Sequence, residues 1–265
     1  MNLPFIQSLW IGDKLSLNEQ LCISSFLYHG HEFHLYTYGH VDNIPNGTII
    51  KDANQILPFE KIFKYGKKKG SYAGFANWFR YKLLYEKGGF WVDTDVVCMK
   101  PFQFDSTIVF GLESYNKANV AVLCFPKEHE VCLFLKDFCE NPNKIFPFDK
   151  FKDKKRKWKR RILGRGIESM IWGEAGPVGF TSTLVHFDLL KLAKPFTFFY
   201  PISHQNWNSI YDSTLGKDST LFNDTYAIHL WNEMYRIENF DKNKRQDKTP
   251  LIEMLRIKYL KLDYE

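Results

Sequence analysis

Two aspartates one residue apart, Asp93 and Asp95, are the side chains of this sequence best suited to chemistry. Apolar runs flank the pair, Phe90 to Val92 on one side and Val96 to Val97 on the other. A buried strand can carry carboxylates only where it leaves the sheet, because an unpaired buried carboxylate is costly. Two carboxylates at that point offer oxygen ligands to a hard divalent cation. The alternative is that they open a turn or cap the following element.

The segment just before this pair predicts a helix from Ser71 to Lys87, closed by the glycines at 88 and 89. Asn77 and Arg80 are three residues apart and therefore lie on one face of that helix. A guanidinium and an amide near a metal suit a diphosphate-bearing ligand, since Arg donates directional, charge-assisted hydrogen bonds. The alternative is that Arg80 runs along the helix surface to reach solvent.

The elements that must position these residues alternate between short strands and helices, which is typical of an α/β fold. No linker separates two cores, so the sequence predicts one domain over residues 1–265. The predicted strands are Phe5 to Ile11, Phe33 to Tyr38, Thr48 to Ile50, Phe90 to Val92, Ile108 to Phe110, Val120 to Phe125, Thr197 to Tyr200 and Tyr226 to Leu230. The other predicted helices are Leu17 to Tyr28, Glu128 to Glu140, Gly166 to Trp172, Thr181 to Leu192 and a lysine-rich tail.

The formal charge of +6 is concentrated in one segment, Lys152 to Arg161, which carries eight basic residues and one Asp. That segment is either a solvated, mobile face or an approach to an acidic partner, such as a phosphorylated glycolipid at the inner membrane leaflet. In the second case Trp158 would sit in the membrane interface. Nucleic acid is not expected, because the rest of the chain is not basic and has no recognised nucleic-acid motif.

The composition is that of an ordinary globular protein, with 45% hydrophobic and 25% charged residues, which excludes disorder and coiled coil. Five cysteines form no C-x-x-C pair, which favours reduced, mostly buried thiols over disulfides or a zinc site. The sequence has no secretory signal and no long apolar run. We therefore expect a cytoplasmic protein, with peripheral attachment to the inner membrane face as an alternative.

The segment from Ala76 to Asp95, ANWFRYKLLYEKGGFWVDTD, resembles the signature of DXD-containing glycosyltransferases of family 32. Their usual pattern, S-D-x-x-R-Y-x-x-L-y-x-x-G-G-i-Y-x-D-x-D, matches here in its Arg, Tyr, Gly-Gly and both Asp residues. Asn77 stands where the family usually has an Asp that contacts the donor sugar, so the resemblance does not fix the donor sugar.

Three shorter segments extend the resemblance along the chain. Phe5 to Gly12 resembles the first-strand motif I-H-Q-I-W-x-G, whose Trp neighbourhood approaches the nucleoside. Gly176 to Thr181 resembles the G-P-x-x-x-T loop near donor sugar and acceptor, and Ala227 to Trp231 resembles the C-terminal A-x-H-x-W. Taken alone, Trp10 could be a core residue, His229 a structural histidine, and Gly176-Pro177 only a turn.

The resemblance implies a GT-A fold, shared with the large glucosylating toxins, in which a Rossmann-like mixed central sheet is flanked by helices. Residues 1–125 would form the half that binds the nucleotide sugar, and 126–265 the acceptor-side half with its basic insertion, 152–161, and helical tail. The residues expected to bind the donor are Leu9, Trp10, Asn77, Arg80, Asp93, Thr94, Gly176, Pro177, Trp231 and Asn232.

The resemblance also implies catalytic roles. Asp95 would be the direct metal ligand, Asp93 would bind the metal through water and contact ribose or sugar, and His229 would be a third ligand. Arg80 would assist at the diphosphate, and Glu174 is a hypothesis for positioning acceptor or donor. A divalent metal would stabilise the charge that grows on the leaving diphosphate. Mixed oxygen and imidazole ligation favours Mn2+ over Mg2+.

The expected function is transfer of a hexose from a nucleotide-diphosphate sugar, with a UDP-sugar preferred, to a glycan or glycolipid acceptor. Retention of anomeric configuration and a role in bacterial capsule or lipopolysaccharide synthesis belong to the same expectation. The main alternative is a haloacid-dehalogenase-type phosphatase, with Asp93 as nucleophile and Asp95 as general acid. The third alternative is a non-enzymatic binding protein or a catalytically weak relative.

Overall fold

The computed structural model describes residues 3–65, 70–215 and 219–262. Within those residues, the strands are β1 (Ile6–Leu9), β2 (Phe33–Thr37), β3 (Ile49–Asp52), β4 (Gly89–Val92), β5 (Val96–Cys98), β6 (Val109–Ser114), β7 (Lys117–Phe125) and β8 (Ala227–His229). The helices are α1 (Leu17–Tyr28), α2 (Ala73–Lys87), α3 (Glu130–Glu140), α4 (Phe151–Ile162), α5 (Pro177–His186), α6 (Phe196–Phe199), α7 (Asn232–Ile237) and α8 (Leu251–Leu260).

The strands form a six-stranded sheet in the order β3-β2-β1-β4-β7-β6 and a two-stranded sheet of β5 and β8. β1, β2 and β3 pair in parallel, with Ile6 opposite Phe33 and His34 opposite Ile49, whereas β6 and β7 are antiparallel. Helix α1 packs against β2, and α5 packs against β7. The predicted α/β class, with a mixed central sheet flanked by helices, is confirmed.

The chain divides into two compact units, and both are built from discontinuous segments. Unit 1 comprises Met1–Asp52, Trp91–Asp105 and Lys194–Glu265. Unit 2 comprises Ala53–Phe90 and Ser106–Ala193. The prediction of a single domain with halves at 1–125 and 126–265 stays a prediction.

Unit 1 has an apolar core to which α1, β5, β8 and α8 all contribute, through residues such as Leu21, Val97, Ile228 and Ile252. Helix α1 starts at the predicted residue because Ser16 caps it. The Ser16 hydroxyl accepts a hydrogen bond from Asn18 N, and the Glu19 carboxylate accepts one from Ser16 N at 2.9 Å. Capping thus fixes the helix that brings Glu19 into the interior.

Unit 2 has an aromatic core in which Phe110 and Phe125 stack and Phe180 packs edge-on against both. Helix α2 ends at Gly88, whose φ of +67° favours glycine, and an added Cβ there would lie 2.5 Å from Lys127 N. Both facts explain why a glycine stands at position 88.

Three predicted elements differ from the structure. The segment from Thr197 to Tyr200 is not a strand, because Pro195 precedes it with a fixed φ and the chain turns into α6. The predicted helix from Gly166 to Trp172 is only the single turn Ile167–Ser169, whose start is held by Glu168 bonding back to Gly166 N. Helix α5 begins early, with Pro177 in its first turn.

The basic segment is also different from the prediction of a mobile face, because it forms helix α4 and buries two of its cations. Lys157 and Arg160 are 1% and 4% exposed. All five cysteines are buried and free, as predicted. None of the helices in the described residues has the length and apolar character needed to cross a membrane.

Candidate active site

Asp93 and Asp95 lie in the turn that joins β4 to β5, both in unit 1. The turn is closed by Val96 N, which donates to the Asp93 carbonyl at 3.2 Å. The indole N–H of Trp91 donates to Asp93 Oδ1 at 2.7 Å and so fixes one carboxylate oxygen. The carboxylates therefore do open a turn, and the same turn presents them side by side where the strand ends.

Asp95 is held against the residues that follow β8. The antiparallel pairing of β5 and β8 sets His229 opposite Val96, and Leu230 N donates to the Asp95 carbonyl at 2.8 Å. His229 Nε2 lies 3.2 Å from Asp95 Oδ2, and Asn232 N donates to the same oxygen at 2.7 Å. Strand pairing thus brings His229 and Asn232 to Asp95, although they are 134 and 137 positions away from it in sequence.

Two opposing effects act on the pKa of the Asp95 carboxyl. Burial disfavours the charged form and raises the pKa. The His229 imidazole and the Asn232 N–H favour the charged form, and they hold the pKa below the ordinary carboxyl value. Asp95 is therefore a carboxylate at neutral pH, as a metal ligand must be.

Trp231 shapes the corner of unit 1 that the Asp93–Asp95 turn forms with residues 229–232. Its backbone is left-handed, with φ 60° and ψ 56°, a conformation that costs a non-glycine residue about 1–2 kcal/mol. That turn aims Asn232 N at Asp95. The Trp231 ring lies 4.2 Å from the His229 ring, and its indole N–H donates to the Ile202 carbonyl at 2.8 Å. The imidazole is thereby packed in a fixed orientation.

Asp93, Asp95 and His229 together fit a divalent metal. One ligand atom from each residue lies within 4.8 Å of the other two. Two carboxylate oxygens and one imidazole nitrogen form a donor set that Mn2+ accepts well. The pairing of an acidic Asp93–Asp95 turn with a single imidazole also leaves net negative charge, which a cation would neutralise.

The predicted nucleoside contacts lie at the end of β1 in the same unit. The Ser8 hydroxyl donates to the Val92 carbonyl at 2.7 Å, which ties the end of β1 to the residue before Asp93. Leu9 is 8% exposed. Within the described part of the chain, Trp10 Nε1 is buried without a hydrogen-bond partner, and so is Asn232 Oδ1. Both belong to the predicted donor-binding set, and buried polar atoms normally have partners.

Sequence reasoning missed two charged residues beside this corner, Glu19 and Lys242. Glu19 is fully buried and accepts a hydrogen bond from Asn232 Nδ2 at 2.9 Å. Lys242 pairs with the same carboxylate, and its ammonium lies 5.7 Å from the centre of the Trp10 ring. Glu19 carried only a helix-capping signal in the sequence, and Lys242 carried none.

The segment that carries Lys242 is held by Arg256, which is 0% exposed. Arg256 donates to the Lys242 and Lys244 carbonyls at 2.8 and 2.9 Å, and to Asn18 Oδ1 at 2.6 Å. Its charge is balanced by Glu253, also 0% exposed. A buried polar network in unit 1 therefore positions the lysine beside Trp10.

The remaining predicted residues lie in unit 2, where Asn77 and Gly176 are neighbours. Asn77 is 5% exposed on α2, and a Cβ added to Gly176 would lie 3.2 Å from its Nδ2. The hydroxyl of Tyr81, one turn further along α2, donates to the Ala175 carbonyl at 2.8 Å. Pro177 follows as the first residue of α5. The glycine-proline segment is thus a helix start packed on α2 and more than a simple turn.

Arg80 does not extend along the helix surface to solvent, because it is 3% exposed. Its Nε donates to the Ala76 carbonyl at 3.3 Å, and Nη1 donates to the Val120 carbonyl of β7. These contacts give Arg80 a structural role between α2 and β7. Its predicted contact with a diphosphate stays a prediction.

Glu174 is 6% exposed and forms a two-pronged ion pair with Arg160 of α4, at 3.0 and 3.1 Å. Arg156 Nε lies 3.3 Å from Glu174 Oε2, and Ile171 N donates to that same oxygen at 3.1 Å. The predicted catalytic carboxylate is therefore surrounded by donors from its own unit.

Two family models match this chain over separate stretches. Residues 15–111 match the glycosyltransferase sugar-binding region containing the DXD motif, and residues 168–255 match the alpha 1,4-glycosyltransferase conserved region. In both stretches the chain is similar to glycosyltransferases, and in the first to those that contain the DXD motif. The first stretch includes Asp93 and Asp95, and the second includes Glu174, His229 and Asn232, so both matches contain residues of the predicted site.

Curated relatives include the lactosylceramide 4-alpha-galactosyltransferase of Mus musculus, 29% identical over 167 residues. The alpha-1,4-N-acetylglucosaminyltransferase of Homo sapiens is 25% identical over 168 residues. Each alignment covers 58% of this chain, and 39% and 41% of those relatives, so the chain spans about two fifths of their length. Among solved structures, the PaToxG glycosyltransferase aligns over 96% of this chain and 84% of its own, with 14% identity and a TM-score of 0.46.

Proposed function

We propose that this protein transfers a hexose from a nucleotide-diphosphate sugar to a hydroxyl group of a glycan or glycolipid. The observation that carries the proposal is the cluster of Asp93, Asp95 and His229, supported by Trp91 and Asn232. The family match contributes the reaction class. The cluster contributes a candidate binding site for the divalent metal that such a reaction uses.

In the proposed reaction, the bond between the anomeric carbon and the β-phosphate oxygen breaks, and a bond to the acceptor oxygen forms. The nucleoside diphosphate leaves, and the acceptor hydroxyl releases its proton to solvent. A divalent metal, when bound, supplies Lewis-acid stabilisation of the negative charge on the departing diphosphate. Asp95 and His229 would hold that metal, Asp93 would hold it through water and contact the sugar or ribose, and Asn232 fixes the orientation of Asp95.

The unpaired buried atoms support a donor site at the same corner. Trp10 Nε1 can donate and Asn232 Oδ1 can accept, and neither finds a partner among the described residues. A nucleotide supplies groups of both kinds, in its base, ribose and phosphates. The Lys242 ammonium pairs with Glu19 and lies beside the Trp10 ring, so a nucleotide bound at Trp10 would have a cation within reach.

The finer assignments belong to the same proposal. We assign Mn2+ as the metal because one of three ligands is an imidazole. We assign a UDP-sugar as donor and retention of configuration from the family resemblance, and the relatives' names specify alpha linkages. A place in bacterial capsule or lipopolysaccharide synthesis, and a cytoplasmic location, stay predictions from the sequence.

The test is a thermal-shift panel of UDP, GDP, CDP and TDP, each with and without Mn2+. A ligand that binds only the folded state raises the melting temperature by mass action. We expect a Mn2+-dependent shift with one nucleotide, UDP, and no such shift in Asp95→Ala. Asp105→Ala is the matched control, because Asp105 is an exposed aspartate of the same unit.

Two results would overturn the proposal. One is the absence of a shift with every nucleotide, combined with turnover of a phosphomonoester that requires Asp93, which would establish the phosphatase instead. The other is a nucleotide shift that is equal in Asp95→Ala and the native protein, which would remove the cluster from the site. Once the nucleotide is known, release of that diphosphate from its galactose and N-acetylglucosamine conjugates identifies the sugar.

A further inference from the structure

Helix α4 has two faces of different character. The inner face buries Lys157 and Arg160, which pair with Asp149 and Glu174. Lys157 Nζ lies 2.8 and 2.9 Å from the two Asp149 oxygens, and its ammonium is 4.6 and 4.4 Å from the ring centres of Phe138 and Phe146. The helix is therefore anchored in unit 2 by its basic residues, which fixes what the opposite face presents.

The outer face carries a stripe of large apolar side chains. Phe151, Trp158 and Ile162 are 84%, 63% and 62% exposed. Trp158 and Ile162 lie seven and eleven residues after Phe151, which is close to two and three helical turns, so all three share one line along the helix. Exposed apolar residues are ordinary when scattered, but three aligned on one helix face indicate a surface that another apolar phase covers.

Basic residues flank this stripe on both sides. The exposed cations of the helix are Lys152, Lys154, Lys155, Lys159 and Arg161. The one acidic residue of Phe151–Ile162, all of which the structure describes, is Asp153, and it pairs with Arg156 at 2.8 Å. The outer face is consequently apolar along its centre and positive along both edges.

We propose that the outer face of α4 docks on an anionic lipid bilayer, with Phe151, Trp158 and Ile162 entering the boundary between headgroups and acyl chains. An amphipathic helix with aromatic and aliphatic residues on one line and Lys/Arg beside them lies in the plane of a membrane surface. The cations gain from the negative surface potential, and Trp prefers the interfacial depth.

The charge distribution selects this occupant over others. A second copy of this face would set ten cations against each other, so self-association through α4 is opposed by repulsion. A nucleic acid would use the cations but would leave Phe151 and Ile162 without apolar partners. An anionic bilayer accepts both the charge and the apolar stripe. The proposal concerns α4 alone and does not depend on the reaction that the protein catalyses.

The experiment is co-sedimentation of the full chain with vesicles of phosphatidylcholine alone and with about 30% phosphatidylglycerol. We expect binding to the anionic vesicles, weaker by at least about tenfold on the neutral ones and at high salt. Lys154→Glu/Lys155→Glu should weaken anionic binding by at least about twentyfold, because each lost cation costs about fivefold. Phe151→Ser/Trp158→Ser should weaken it by about tenfold or more.

Matched controls come from elsewhere in unit 2. Tyr115→Ser removes an aromatic side chain that is 93% exposed, and Lys61→Glu/Lys87→Glu reverses two exposed cations. Both controls should bind as the native protein does. All variants change exposed side chains, and circular dichroism melting confirms that each is folded. Because the five native cysteines are buried, bimane placed on Ile162→Cys reports insertion selectively, with Val185→Cys as the control position.

A blue shift of bimane at position 162 on anionic vesicles, absent at position 185, would support insertion. The proposal is overturned if the native protein does not bind anionic vesicles, or if the α4 variants bind as well as the controls do. It is also overturned if the α4 variants abolish a concentration-dependent dimer, measured by analytical ultracentrifugation, while vesicle binding is unchanged. That last result would assign the face to a second copy.

Discussion

Asp95 in unit 1 and Glu174 in unit 2 are both almost fully buried carboxylates, and they have opposite electrostatic surroundings. Glu174 faces two arginines and a backbone N–H, so its negative charge is more than balanced. Asp95 faces one imidazole and one backbone N–H, with a second carboxylate, Asp93, close by. Among the described residues, Glu174 is balanced by cations, whereas Asp95 shares its surroundings with a second carboxylate.

This difference separates a structural carboxylate from one suited to bind a ligand. Burial of a charge without compensation is costly, so a native protein either pairs the charge or uses it to bind something. Glu174 ties the loop before α5 to helix α4, and its effect on any reaction would pass through that loop. Asp95 retains an excess of negative charge at the point where the family matches place the DXD motif.

The largest effect should come from Asp95→Asn. The change removes one unit of negative charge from the metal ligands but keeps the shape of the side chain. We expect release of nucleoside diphosphate from a UDP-sugar to slow by about a thousandfold, since metal stabilisation of the leaving group contributes several kcal/mol. Steady-state assay of diphosphate release measures this.

Asp105→Asn serves as the control for Asp95→Asn and should keep the native rate, because Asp105 is exposed. If Asp95→Asn also kept the native rate, Asp95 would not be a ligand-binding carboxylate and would not differ from Glu174 in function. Added Mn2+ sharpens the test, because a weakened site is partly refilled at higher metal concentration whereas a lost catalytic group is not.

The second largest effect should be on stability, in Arg160→Met. Removing Arg160 leaves Glu174 buried with much less compensation, and broken buried pairs cost about 3–5 kcal/mol. Urea unfolding of the single variants, and of Arg160→Met combined with Glu174→Gln, forms a double-mutant cycle. We expect the double variant to recover part of the loss, because the uncompensated charge is removed.

Glu174→Gln alone distinguishes the structural role of this carboxylate from the catalytic role suggested by sequence. A structural role predicts reduced stability with nearly native kcat once the variant is folded. A fall in kcat at native stability would instead show that Glu174 acts on the substrates. Glu174 and Asp95 would then both be functional carboxylates.

The sequence was sufficient where local signals determine structure. Helix α1 has its predicted bounds because Ser16 and Glu19 form a capping box, and the Asp93–Asp95 turn follows a buried strand because carboxylates mark a strand end. The family resemblance located His229, which no local pattern would place beside Asp95. That contact depends on the pairing of β5 with β8.

The sequence was insufficient where residues distant along the chain decide whether a charged side chain is buried and paired or exposed to solvent. The basic segment from Lys152 to Arg161 has the composition of a solvated face, yet Asp149 and Glu174 draw two of its cations inside. Lys242 was missed for the same reason, because only the fold of unit 1 brings it to Glu19 and Trp10. Single-sequence patterns do not contain these long-range pairs.

A smaller effect concerns pH. The folded-state pKa of Asp95 is lower than its unfolded value of 3.8, so this carboxyl adds stability above that value. The contribution is lost as pH falls below 3.8 and through the folded pKa. We expect metal-free native protein to lose stability over this range more steeply than Asp95→Asn does, as measured by urea unfolding in a chelator. Parallel curves for the two proteins would mean that Asp95 is not stabilised by its partners.

The smallest effect should come from replacing the second buried pair of unit 2, in Lys157→Met/Asp149→Asn. Burial lowers the pKa of Lys157 in spite of the attraction to Asp149, and repulsion from Arg160 acts in the same direction as burial. Replacing both charged members should therefore change the free energy of unfolding by less than about 1 kcal/mol, because Met packs between Phe138 and Phe146 where the lysine stem did.

Urea unfolding of this double variant tests whether the charges of the pair stabilise unit 2. Vesicle co-sedimentation tests whether the outer face of α4 is unaffected. Its outer face keeps the apolar stripe and flanking cations of α4, so binding to anionic vesicles should equal that of the native protein. A loss of more than about 3 kcal/mol would show that the charges of this pair, and not only the packing of the lysine stem, anchor the helix. In that case both buried pairs of α4 would be structural anchors, and Asp95 would differ from each of them in having a carboxylate as its neighbour.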